Sequence, residues 1–250
     1  MTVLPGAAAP AEPTATRVAP PRIRVPILMY HHVGTAPAGV GGLERDLTVS
    51  PARFREQLAW LRQAGYESIS LLDLAQHLSA GAPLPEKPII ITFDDGYTDA
   101  YTEAAPLLVE YGYRATFFII TDFIDRKLPP YMSWEQIVGL EAQGMEIGSH
   151  SRDHPDLRRR SIEYLVWQIL GSKQTLEAHL KAPVRVFSYP SGRYDEQVIK
   201  VLVSAGFLAA VTTETGVNHS GDDLMRLKRI RVRGGDALNV FINRLEAGGP

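Results

Sequence analysis

Three clusters in this chain carry residues able to hold a proton or a metal ion. They are Tyr30-His31-His32, Asp94-Asp95-Gly96 and Ser149-His150-Ser151-Arg152-Asp153-His154. Two adjacent carboxylates repel each other in a poorly solvated site. A divalent cation on one of them removes that cost and leaves the other free to act as a base toward water. Asp and Gly are also common turn residues, so the segment reads as a turn as well. His150 and His154 stand four apart, a spacing at which a helical turn aims both rings at one ion. Pro155 follows at once, which points to a turn or short helical segment rather than a long helix. Two histidines and one carboxylate with open positions suit a catalytic divalent metal. His31 and His32 are adjacent at a predicted strand end, so they point to opposite sides, and one of them can face a site as a proton donor. His77, His179 and His219 lack carboxylates at ligand spacing and read as structural or solvent-exposed.

These clusters follow short apolar runs that read as strands. The runs are VPILMY (Val25 to Tyr30), KPIIITF (Lys87 to Phe93), ATFFII (Ala115 to Ile120), MEIGSH, VRVFSY, FLAAVT and RIRV. The adjoining apolar residues of PIIITF mark a strand buried on both faces. Helical spacing separates them. Ser50-Pro51 opens one helix as N-cap and first residue. Others are predicted near Leu71 to Leu78, Asp99 to Tyr111, from Ser133 with its Gln136 capping box through Leu140, Ser161 to Leu180, Asp195 to Ser204, and Asp236 to Leu245. A Gly-rich loop is expected through Gly34, Gly39, Gly41 and Gly42. Repeated strand-then-helix order argues for a parallel sheet with helices outside. With no obvious internal boundary, it favours a closed or nearly closed single-domain α/β barrel. In such folds sites lie beyond the carboxyl ends of strands. All three clusters, and the Ser188-Tyr189-Pro190-Ser191-Gly192 turn, fall at that one end.

The chain has 250 residues, 45% hydrophobic and 22% charged, close to the globular average. With 26 Lys+Arg against 28 Asp+Glu the net charge is -2, which offers no electrostatic case for nucleic acid or an anionic membrane surface. The absence of cysteine excludes disulfides, thiolate metal sites and cysteine nucleophiles. No stretch approaches the roughly 18 apolar residues of a membrane span. The Ala/Pro-rich start, residues 1–22, reads as a flexible arm, and it lacks the cationic start and apolar run of a signal peptide. The folded domain is expected over residues 23–250.

ITFDDGYTDAY, IGSHSRDHPDL and FSYPSGRYDE resemble three motifs of the polysaccharide deacetylase family, the metal-dependent carbohydrate esterases. ILMYHHV, followed by SPARFREQLAWLRQAGYESISL, is similar to the N-terminal part of its poly-N-acetylglucosamine deacetylase-like subgroup. The resemblance spans Val25 to Val232. It implies a distorted (β/α) barrel of about seven parallel strands with a shallow sugar groove. It further implies Asp95, His150 and His154 as metal ligands and Asp94 as the catalytic base. His31 is then the general acid, with His32 as the fallback, and Ser191 supplies a backbone N–H for the oxyanion. The ion is one divalent metal, zinc first, with cobalt, nickel, manganese or iron also compatible. The reaction is hydrolysis of an N-acetyl group on an N-acetylglucosamine-type glycan, with acetate released and no covalent enzyme intermediate. Poly-N-acetylglucosamine, peptidoglycan, chitin oligomers and acetylated xylan all lie within the family's reach. That substrate class suggests an extracytoplasmic location.

One departure stands out. Many family members place an Arg two residues before the Pro of the third motif, where it orients the base; here that residue is Ser188. Arg229 and Arg193 are the candidates to replace it. Tyr97, Tyr131, Trp134 and Tyr189 are candidates to stack on sugar rings. Competing readings are a hydrolase of a non-sugar amide, an inactive carbohydrate-binding homologue, and an Fe(II) oxygenase. The base-like Asp94 beside the ligand set favours hydrolysis over oxygen activation.

Overall fold

Each of the seven apolar runs becomes a strand, and the seven close on one another. The computed structural model describes residues 22–249, so the expected arm over residues 1–22 lies outside the described residues but for Arg22. The strands are β1 (Ile27–Tyr30), β2 (Pro88–Phe93), β3 (Thr116–Ile119), β4 (Glu146–Ser149), β5 (Val186–Ser188), β6 (Ala209–Thr215) and β7 (Leu227–Arg231). They pair in chain order, all parallel, and β7 returns to β1. This is a single closed α/β barrel, as expected. It is distorted: β4 meets β5 through the pair Ser149 and Phe187, and β6 shifts register against β7 between Val211 and Thr215. Glu67–Ser68 adds a short strand beside the start of β2.

The helices outside are α1 (Gly42–Leu47), α2 (Pro51–Gln63), α3 (Leu71–Ala80), α4 (Ala105–Tyr111), α5 (Thr121–Asp125), α6 (Trp134–Ala142), α7 (Ile162–Leu180), α8 (Glu196–Ser204) and α9 (Leu238–Ala247). The capping residues act as their types dictate. Ser50 Oγ accepts from the Arg53 N–H, Ser133 and Gln136 form a reciprocal capping box, and Asp195 accepts from Gln197 and Val198. Three expectations shift. The helix expected over Asp99 to Tyr111 opens with a π-helical stretch, Ala100–Ala104. The last helix starts at Leu238, because Asp236 is engaged by the Arg233 N–H and by Arg244. Within the Gly-rich segment α1 forms, although its N-cap Gly41 offers no side chain and none of its residues is buried.

Side-chain alternation along each strand builds two kinds of core. Ile89, Ile91 and Phe93 of β2 face the outer helices, whereas Ile90 faces the barrel interior with Ile27, Phe118, Val186, Ala209, Val211 and Leu227. Further along the inward parity the residues turn polar: Thr92 and Asp94 from β2, Ser188 from β5 and Arg229 from β7, all buried. An apolar floor therefore carries a polar layer toward the carboxyl end. The floor is tightly packed at Gly148 of β4, where an added Cβ would stand 2.5 Å from ring carbons of Phe118 and 3.0 Å from Val186 Cγ2. Gly148→Ala should therefore destabilise the protein by about 1–3 kcal/mol through overpacking. A lowered urea midpoint with an unchanged slope is the expected reading.

Candidate active site

At the carboxyl mouth of the barrel a pocket of about 250 Å³ is lined by residues that include His31, Asp94, Asp95, His150, His154 and Ser191. A larger groove, about 710 Å³ between α7 and α8, has a mainly aliphatic wall and lies away from these groups. Asp94 and Asp95 leave the end of β2 in different directions because Asp95 takes a left-handed backbone (φ 73°), followed by Gly96 at φ 81°. Non-glycine residues pay for that conformation and recur where a site demands it. Among the described residues seven do so, and Asp95, Ser151, His154 and Ser191 belong to this one mouth.

Asp94 is 3% exposed and Arg229 fully buried. Arg229 donates from Nη1 to Asp94 Oδ1 at 2.8 Å and from Nη2 to Asp94 Oδ2 at 2.7 Å. Its remaining donors reach Thr92 Oγ1, Ser188 Oγ and the Thr212 carbonyl, so all five N–H groups are used. Burial pushes the Asp94 carboxyl up, but the guanidinium charge and its two hydrogen bonds prevail and hold it well below the usual carboxylate range. Asp94 is thus ionised and fixed in orientation. Of the two candidates for the missing arginine, Arg229 reaches Asp94 and Arg193 does not. Arg193 is exposed and pairs with Asp156 at 3.2 Å.

His150 donates its Nδ1–H to the Ser188 carbonyl at 2.7 Å, which turns Nε2 toward Asp95. Nε2 of His150 lies 3.3 Å and Nε2 of His154 3.7 Å from Asp95 Oδ1. That oxygen is buried without an aligned hydrogen-bond partner among the described residues. Tetrahedral ligands at 2.0–2.2 Å from zinc stand about 3.4 Å apart, and here the three ligand atoms lie within 4.8 Å of one another. A carboxylate oxygen and two ring nitrogens converging on one point, with the oxygen otherwise orphaned, fit a divalent cation. Burial lowers the His150 imidazole, yet its contact with Asp95 and the charge of Asp94 lift it above its ordinary value. Burial and the neighbouring His150 hold His154 below its own.

The histidine pair meets on a turn, not a helix. Ser151 Oγ accepts the His154 N–H, with positive φ at both residues. Gln168 of α7, fully buried, holds that turn from outside. Its Oε1 accepts the Arg152 and Asp153 N–H groups at 3.1 and 3.4 Å, and its Nε2 donates to Asp153 Oδ1. Sequence spacing gave no signal for Gln168, since it lies on a helix with no link to the motif.

His31 shares inward parity with Ile27 and Met29 and lines the pocket. Burial pushes its imidazole down, while Asp94 and Asp95 pull it back up. His32 faces the other way, bonds Asp99 Oδ2 through Nδ1 at 2.7 Å and stacks on Tyr97 at 3.7 Å. Ser191 sits in the turn after β5, which is closed by the Gly192 and Arg193 N–H groups, leaving the Ser191 N–H out of those bonds. The turn needs glycine at 192, where a Cβ would fall 2.1 Å from Thr213 Oγ1.

The aromatic candidates separate. Tyr189 is fully buried and donates its hydroxyl to the Met225 carbonyl at 2.8 Å, so it presents no face to a sugar. Trp134 stacks on His179 at 3.9 Å and donates Nε1 to Asp125, away from the pocket. Tyr97 and Tyr131 stack on each other at 5.1 Å, outside the residues that line the pocket. The lining instead adds Leu43 and Leu47 of α1, Thr213 and Arg231, none of which the sequence reading singled out. For Arg231 a signal existed: it stands two residues beyond Arg229 on one strand.

A closed parallel barrel thus gathers an arginine-locked carboxylate and an Asp-His-His cluster at its carboxyl mouth, groups able to orient a water beside a cation. The polysaccharide deacetylase family model matches residues 81–210. YxkH of Bacillus subtilis (strain 168), whose name assigns it to the polysaccharide deacetylases, is 31% identical over 218 residues, 87% of this chain and 75% of that protein. The poly-beta-1,6-N-acetyl-D-glucosamine N-deacetylase of Escherichia coli (strain K12) is 37% identical over 82 residues, 33% of this chain and 12% of that protein. The structure of the Streptococcus pyogenes deacetylase PplD in complex with acetate superposes with a TM-score of 0.82 at 27% identity, covering 90% of this chain and 99% of that one. The chain belongs to the polysaccharide deacetylase family, hydrolases acting on C–N bonds other than peptide bonds.

Two substitutions check the geometry. Arg229→Gln leaves Asp94 buried without its counter-charge and should cost about 3–5 kcal/mol of stability, read as a lowered melting temperature. Gln168→Leu leaves the Arg152 and Asp153 N–H groups unpaired and loosens the His154 turn. Metal affinity should fall about 10–100-fold, measured by competition with a chelating dye.

Proposed function

We propose that the protein removes N-acetyl groups from a glycan of N-acetylglucosamine type, with a divalent cation, zinc first, at Asp95, His150 and His154. The observation that carries this reading is the two-point clamp of Arg229 on Asp94, placed beside the converging ligands. A carboxylate held so far below its ordinary range is a weak base by itself. A cation held by Asp95, His150 and His154 would supply Lewis acidity that lowers the pKa of a water and polarises the amide carbonyl, and so weak a base would then suffice.

The chain's own groups do the rest. Arg229 engages both Asp94 oxygens yet leaves lone pairs on each, since a carboxylate offers about four acceptor sites. Asp94 orients the attacking water and takes its proton. The Ser191 N–H is the donor for the oxyanion, a role typically worth about 3–4 kcal/mol. His31, which lines the same pocket, passes a proton to the departing amine nitrogen. Nitrogen leaves as the glycan amine and the acyl carbon as acetate. A glycan polymer of this kind is met outside the cytoplasm, so we place the protein's action there. Recovery of the native protein from the cytoplasmic fraction alone would refute that placement.

Acetate release from N-acetylglucosamine oligomers tests the reading, with chelated enzyme and with metals restored singly. Release that needs the metal is the expected outcome. Bound metal without release from any acetylated glycan would transfer the assignment to a non-sugar amide, tested on cyclic amides and imides. Asp94→Asn should lower turnover by about 10²–10⁴-fold while metal content, measured by atomic absorption, stays near one per chain. His154→Ala should lower both.

A further inference from the structure

Arg229 and Arg231 stand two apart on β7 and so share the inward face. The deeper one, Arg229, spends all five donors on protein groups. Arg231, one layer nearer the mouth, lines the catalytic pocket and is half-buried. Among the described residues its guanidinium makes no hydrogen bond and no ion pair. The nearby acids are already matched. Asp94 is held by Arg229 and Asp95 faces His150 and His154. A half-buried cation without a counter-charge is costly, and a forked one is shaped for an oxyanion. It also acts against the very group it sits beside, since its charge opposes protonation of His31. A wall built only for a neutral sugar would gain from Gln or Thr at this position.

We propose that Arg231 is a specificity residue that receives an oxyanion, a carboxylate or a phosphate, carried by the glycan on or next to the N-acetylated sugar being cleaved. The preferred substrate is thus an acidic glycan rather than a neutral homopolymer. This rests on the deacetylase reading above. The oxyanion supplies the counter-charge that the fold withholds from Arg231. It also anchors the sugar ring from one side while the acetamide faces Asp94 and the ligand cluster.

The test compares three substrates with wild-type and Arg231→Gln enzyme. They are a neutral N-acetylglucosamine tetramer, a hyaluronan tetrasaccharide as the carboxylate arm, and N-acetylglucosamine 6-phosphate as the phosphate arm. Wild-type kcat/KM should favour at least one acidic substrate over the neutral one by about ten- to hundred-fold, the range for a charged hydrogen bond. In Arg231→Gln that ratio should collapse toward one, and Arg231→Lys should restore part of it. Which acidic arm is preferred distinguishes carboxylate from phosphate. The same ligands titrated calorimetrically into chelated protein should show the same preference, lost in Arg231→Gln, with melting temperature not lowered because no hydrogen bond or ion pair is removed. Equal use of acidic and neutral substrates by the wild type, or a preference that survives Arg231→Gln, would overturn the proposal. Acetate from none of the three would refute the deacetylase reading instead, and calorimetry would then decide for or against Arg231 alone.

Discussion

The buried pair of Asp94 and Arg229 organises this molecule. A carboxylate at 3% exposure is untenable without a counter-charge, and a fully buried guanidinium is untenable unless every N–H is met. The two requirements are solved together. From β7 the guanidinium reaches the end of β2 through Thr92 and Asp94, β5 through Ser188 and β6 through Thr212. One side chain therefore ties together four of the seven strands across the barrel interior. Closure of the sheet and the fixed orientation of the Asp94 carboxylate consequently rest on the same hydrogen bonds. A barrel whose β7 slipped by one residue would point Arg229 outward and leave Asp94 alone in the interior.

Around that pair the site is made by turns, and turns here are strained where chemistry needs them. Asp95 must leave the strand in a left-handed conformation to separate its carboxylate from that of Asp94. His154 must do the same to bring its ring back toward His150. Such conformations persist only when the surroundings over-determine them. Gln168, three hydrogen bonds deep in the 151–154 loop, and Thr213, packed against the Ser191-Gly192 turn, are the surroundings in question. The outer helix α7 thus contributes to the geometry of the Asp-His-His cluster without supplying a member of it.

The resemblance leads to the expectation of an arginine two residues before Pro190, and the guanidinium that reaches Asp94 comes from β7 instead. Ser188 stands where that arginine would be, and its small side chain leaves room for Arg229 to arrive from the far strand. Ser188 also accepts one of its hydrogen bonds and, through its carbonyl, fixes the tautomer of His150. The same residue therefore meets the Asp94–Arg229 pair on one side and the Asp-His-His cluster on the other. With Nδ1 held by that carbonyl, His150 Nε2 lies 3.3 Å from Asp95 Oδ1.

Much of this was readable in the chain. Strand-then-helix order, the caps at Ser50, Ser133 and Asp195, and the clustering of acids and histidines just after apolar runs are local properties. Local propensity and the period-two pattern suffice to state them. The resemblance already ranked His31 above His32, but which of Arg229 and Arg193 reaches Asp94 needed the register of the closed sheet, because parity has meaning only once the inside of the barrel is defined. The aromatic candidates show the limit most plainly. Tyr189 and Trp134 carry the right chemistry for a sugar platform, but one is spent on the Met225 carbonyl and the other on His179 and Asp125. Gln168 was invisible for the opposite reason: its role comes from what long-range packing sets beside it. The sequence by itself determined which chemistry is available and at which end of the sheet it lies. Only the tertiary structure decided which side chains share one cavity, because that depends on contacts between residues more than a hundred positions apart, such as Asp94 and Arg229.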